Sequence, residues 1–81
     1  MFFFVAAYNE LGVVYVSIGD SGKAEEIFKK VIEVSGSSEN TKKECGKAYV
    51  NLGRIYTFIG DTVLADDALN KARLINPKLE F

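Results

Sequence analysis

The sequence has no histidine, one cysteine, one proline and no surplus of charge of either sign. Each shortage removes a class of function. With no histidine, no Gly-rich phosphate loop and no Cys/His/carboxylate cluster, nothing points to catalysis, so the chain is expected not to be an enzyme and to need neither cofactor nor metal. Cys45 cannot close an internal disulfide and has no companion for a metal site; it reads as a small helical residue in a reducing, cytoplasmic setting. Ten basic residues against eleven acidic ones leave a net charge of -1 and no basic stripe to neutralise a phosphate backbone, so nucleic acid is not an expected partner. The lone proline and the absence of low-complexity tracts, beside 48% hydrophobic and 26% charged residues, describe a chain that folds. The apolar start, Met1 to Ile18, lacks a basic leader and is interrupted by Asn9, Glu10 and Ser17. It is expected to be a core helix, with no membrane as partner.

What is present is helical periodicity. Eighty-one residues make one small domain, 1–81, which at this size buries roughly 60–65% of its unfolded surface. A first helix is expected from about Phe2 to Ile18, burying the face that carries Phe4, Ala7, Tyr8, Leu11, Val14 or Tyr15, and Ile18. Gly19 can close it in the left-handed conformation, and Asp20 or Ser21 can cap a second helix over about Gly22 to Val34. That helix carries Ala24, Ile27, Phe28, Val31 and Ile32 on one side. Its other side is charged, with Glu25–Lys29 and Glu26–Lys30 as expected i,i+4 pairs. A polar stretch from Ser35 to Asn40 reads as a loop, and Thr41-x-x-Glu44 has the form of a capping box for a third helix from near Lys42 to Ile59. A fourth follows from about Val63 to Ile75, ending at Asn76-Pro77. The paired carboxylates Glu25-Glu26 and Asp66-Asp67 fall on faces that this periodicity leaves in solvent, and Asp20 argues against reading Gly19 to Gly22 as an anion-binding loop.

The two halves repeat. Tyr8, Leu11, Gly12, Tyr15, Gly19, Ala24 and Phe28 recur as Tyr49, Leu52, Gly53, Tyr56, Gly60, Ala65 and Leu69, every pair 41 positions apart. The pattern aromatic-x-x-Leu-Gly-x-x-Tyr, then Gly-Asp, then Ala-x-x-x-aromatic or Leu, ending on Asn-Pro, resembles the tetratricopeptide repeat, a helix-turn-helix unit with a basic period of about 34 residues. The longer spacing is similar to that of the repeats in kinesin light chain. Repeat one would span about 2–36 and repeat two about 41–77. The resemblance implies an all-α fold of two stacked antiparallel hairpins. Within each hairpin Gly12 or Gly53 would let the partner helix approach closely, with Ala24 or Ala65 opposite. Gly36, Val31 and Leu69 stand where the family prefers Pro, Ala and an aromatic.

The resemblance also implies what the fold is for: a protein-binding module whose groove is lined by the first helix of each repeat. In this sequence those solvent-facing positions include Asn9 and Val13, then Lys47, Asn51, Arg54 and Phe58. Asparagine can donate to and accept from the main chain of an extended peptide, and Lys47 with Arg54 would favour acidic groups or a terminal carboxylate. Lys47-x-x-x-Asn51 has the spacing of one pair in the family's carboxylate clamp, although the other pairs are absent. The alternative is a structural piece that associates with itself, as a dimer. Phe2, Phe3 and Phe4 lie in a run that is apolar all round, whereas Asp66 and Arg73 place polar groups at the C-terminal end of the array.

Overall fold

Apolar residues at helical spacing, interrupted twice by Gly-Asp, give four helices in the computed structural model, which describes residues 4–35 and 41–78. They are α1 (Val5–Ser17), α2 (Ser21–Ser35), α3 (Lys42–Ile59) and α4 (Thr62–Ile75). The all-α hairpin architecture expected from the sequence is the observed one. Phe4 stands at the N-cap of α1 with φ of -92° and ψ of -6°; Phe2 and Phe3, and the loop residue Gly36, lie outside the described residues.

The two tight turns are built alike. Gly19 and Gly60 take φ of 85° and 87°, the left-handed region that favours glycine. After α1, the Gly19 N–H donates to the Val16 carbonyl at 3.0 Å and the Asp20 N–H to the Tyr15 carbonyl at 2.8 Å. After α3, Gly60 donates to Thr57 at 3.1 Å and Asp61 to Tyr56 at 2.9 Å. Each aspartate then caps the next helix: Asp20 Oδ1 accepts from Lys23 N–H and Asp61 Oδ1 from Leu64 N–H, both at 3.1 Å. Thr41 departs from expectation. The capping box does not form, because the Thr41 hydroxyl is buried and donates to the Ser35 carbonyl at 3.1 Å, joining the end of α2 to the start of α3.

The core runs through all four helices: Val5 of α1, Ala24, Phe28 and Val31 of α2, Ala48, Leu52, Ile55 and Tyr56 of α3, and Ala65 and Ala68 of α4. The mid-helix glycines are where each hairpin closes. A Cβ on Gly12 would lie 2.5 Å from Phe28 Cε1, and one on Gly53 would lie 2.8 Å from Leu69 Cγ. The nearest neighbour is therefore the larger residue one turn beyond the expected alanine; the Ala65 carbonyl does lie 3.5 Å from a Cβ at Gly53, while Ala24 is not among the nearest atoms at Gly12. The alanines allow the approach and the larger side chain fills it.

The expected buried face of α1 is corrected. Phe4, Ala7, Tyr8, Leu11, Val14 and Ile18 are exposed, and the buried residues of α1 are Val5, Asn9 and Gly12. Tyr15, the alternative to Val14, is half-buried against the core. Of the matching positions on α3, Cys45, Ala48, Leu52 and Ile55 are buried, Tyr49 is half-buried and Ile59 is exposed like Ile18. The difference is that α3 has a preceding hairpin, α1–α2, packed on it in addition to its own partner α4, whereas no preceding hairpin packs on α1 among the described residues. A smaller correction concerns α2: Lys30 pairs with Glu33 at 3.6 Å, one turn toward the C-terminus, rather than with Glu26.

Candidate binding surface on the first and third helices

The first helix of each hairpin carries the candidate strip, because α2 and α4 pack behind and α1 lies against α3. Two hollows open along the α1/α3 seam and share Val13 and Asn51. One is apolar, about 510 Å³ in volume, with Val13, Val16 and Ile55 around it, Phe28 at its base and Asn51, Arg54 and Phe58 along its edge. The other is polar and holds Asn9, Glu10, Glu44 and Lys47. All six residues marked from the sequence thus line one or both hollows.

They are not all available. Asn9 was expected to face solvent and is only 5% exposed. Its Nδ2 donates to the Glu44 carbonyl at 2.9 Å and to Glu44 Oε1 at 3.0 Å, so it fastens α1 to α3. Its Oδ1 is buried without a partner among the described residues. Glu44 also receives Lys47 Nζ at 3.7 Å, and with Glu10 beside them the polar hollow has no net positive charge. Arg54 differs: its guanidinium makes no hydrogen bond or ion pair among the described residues. Next to it Phe58 is 85% exposed, a large apolar side chain held in water.

A polar contact between the repeats went unseen in the sequence. The Tyr56 hydroxyl donates to Glu25 Oε2 at 2.6 Å, and Lys29 Nζ lies 3.1 Å from the same oxygen. The Tyr56 hydrogen bond, helped by Lys29, holds the Glu25 carboxyl below its usual range against the opposing effect of partial burial. Burial first, and then the Glu25 carboxylate, push the Tyr56 phenol up to about 12. Periodicity had placed Glu25 on a solvated face, and the i,i+4 pairing with Lys29 is real. The only hint of more was Tyr56 itself, a phenol on a face expected to be buried. Cys45 is buried on α3 and its thiol is pushed up by desolvation, so it is a packing residue held in the thiol form.

A family model described as tetratricopeptide repeat matches residues 3–75. The chain belongs to the tetratricopeptide repeat family. No curated protein and no solved structure matches the chain. Tetratricopeptide repeats generally serve protein–protein interaction, typically as scaffolds without catalytic activity. For this tetratricopeptide repeat chain, no helix among the described residues is long and apolar enough to cross a membrane.

Proposed function

We propose that the chain binds an extended peptide or a partner helix along the α1/α3 strip. The observation that carries this reading is the apolar hollow, with Arg54 uncommitted at its edge and Phe58 exposed beside it. A peptide side chain filling such a hollow is released from water, and a carboxylate nearby would take the forked donors of Arg54. Lys47 contributes less than its charge suggests, since Glu44 already neutralises it. The favoured ligand therefore carries an apolar anchor with an acidic group on the Arg54 side. Asn51, half-buried between the two hollows, is placed to address the ligand main chain. A cytoplasmic protein partner, rather than nucleic acid or a membrane, suits this chemistry and the free thiol of Cys45. The period shared by both turns and their hydrogen bonds favours the longer type of repeat found in kinesin light chain. Amide shifts on titration with apolar-acidic peptides test the binding reading. Changes should centre on Val13, Asn51, Arg54 and Phe58 and vanish in Arg54→Glu; changes confined to other faces would reject it.

Self-association is the second reading, favoured by the exposure of the other side of α1, where Phe4 and Val14 are each 53% accessible. Phe2 and Phe3, marked for the same role from the sequence, are outside the described residues.

A further inference from the structure

Residues 41 positions apart can be compared directly, and the comparison exposes one asymmetry. On α3, Cys45, Ala48, Leu52 and Ile55 are all buried at 5% exposure or less. Their counterparts are Phe4 at the start of α1 and Ala7, Leu11 and Val14 within it, and all four are exposed. Each helix has its own hairpin partner, α2 for α1 and α4 for α3, so that partner does not account for the difference. The preceding hairpin does: α1 and α2 both pack on α3, and nothing among the described residues packs on α1 in the same way. The open face of α1 therefore has the shape and chemistry of a surface that accepts an α1–α2 hairpin.

The chain carries a hairpin of that kind at its other end. The groups of α2 that meet α3 have counterparts on α4: Leu69 for Phe28 and Asp66 for Glu25. Tyr15 corresponds to Tyr56, the residue that Glu25 binds, and the Tyr15 hydroxyl has no hydrogen-bond partner among the described residues. Arg73 replaces Ile32, which sits beside Tyr49; the counterpart of Tyr49 is Tyr8, whose ring face can accept a guanidinium. The two polar residues expected to close the C-terminal end thus have complements on the α1 face.

We infer that the chain stacks head to tail on copies of itself, with the α4 end of one copy over the α1 face of the next. The contact repeats the operation that joins its own two hairpins, and Asp66 accepts from the neighbour's Tyr15 hydroxyl. Such an interface is heterologous: each copy offers a different surface to each neighbour, so assembly continues instead of closing at a pair. It uses a face separate from the α1/α3 strip and stands or falls independently of peptide binding.

Sedimentation equilibrium on three proteins tests it. The wild-type mass should rise with concentration through and beyond a dimer. Leu11→Glu blocks the α1 face and Asp66→Arg blocks the α4 end, and each variant alone should stay monomeric. An equimolar mixture should form a one-to-one complex, because each variant retains the surface the other has lost. If Leu11→Glu loses helicity by circular dichroism, Val14→Glu at a more exposed site takes its place. Dimerisation of Asp66→Arg as strong as wild type would show two α1 faces meeting across a two-fold axis and overturn the inference. A wild type that remains monomeric at millimolar concentration would overturn it too, as the α1 face would then take something other than a second copy.

Discussion

Phe28 and Leu69 occupy the same place in their hairpins but are held differently, and the two glycines they cover should respond differently to substitution. Phe28 is completely buried and has nowhere to go when a methyl group is added at Gly12. Leu69 is half-buried, and a change of its χ1 rotamer can carry Cγ and Cδ2 away from Gly53 toward solvent. Gly12→Ala should therefore cost about 2 kcal/mol despite better helix propensity, whereas Gly53→Ala should be close to neutral. Gly53→Leu, which no rotation of Leu69 can relieve, should cost more than about 2 kcal/mol. Thermal melts of the three variants check the order; equal losses at the two alanines would show that Leu69 is as fixed as Phe28. At the Tyr56–Glu25 contact the sign of the pH dependence can be worked out. Glu25 titrates lower folded than unfolded, so its contribution is complete above the ordinary carboxylate pKa of 4.5 and is lost as pH falls through the depressed value. Tyr56 titrates higher folded than unfolded, so its contribution is complete below 10 and is lost as pH rises through about 12. Because Glu25 is one-third exposed, the bond is worth about 1 kcal/mol rather than the full value of a charged hydrogen bond. Denaturation of Tyr56→Phe should show that deficit at neutral pH and a smaller one in acid. A constant deficit would mean that the lost hydroxyl matters for packing and not for charge.

At the level of elements, much was legible because the helices are specified locally. The apolar spacing, Gly19 and Gly60, and the capping aspartates depend only on near neighbours, and the observed ends of α3 and α4 fall within a residue of those expected. The aspartate caps should be interchangeable in effect: Asp20→Ala and Asp61→Ala should each lower stability by about 1 kcal/mol, read from urea midpoints. A clear loss at one alone would mean that the two turns are alike in geometry but not in energy. The Thr41 and Asn9 readings failed for a reason of distance. Both side chains form bonds between helices, to Ser35 and to Glu44, and no local pattern announces a partner 6 or 35 residues away. Thr-x-x-Glu is a good capping signature, but here each half of it is engaged elsewhere. The candidate strip was legible only as a set of positions. That Glu44 neutralises Lys47 and leaves Arg54 uncommitted follows from tertiary placement.

Across the whole molecule, the error over α1 shows what periodicity contains. It tells which side chains share a face, and Phe4, Leu11 and Val14 do share one. It does not tell whether that face has a neighbour, because that depends on the number of hairpins stacked against it. The same arithmetic governs motion. The middle of the stack is α3, with α4 on one side and α1 and α2 on the other, and opening it requires separating both. Opening α1 requires separating only its seam with α2 and α3. Amide hydrogens should accordingly exchange with solvent deuterium most slowly along Leu52 to Tyr56 and fastest in α1, so the native state frays from one end before it melts. A hydrogen-exchange profile with α1 as protected as α3 in dilute solution would contradict this. Ordered loss of that kind makes the first hairpin the part of the chain most readily remodelled while the second stays folded, and so the part where a protease would cut first.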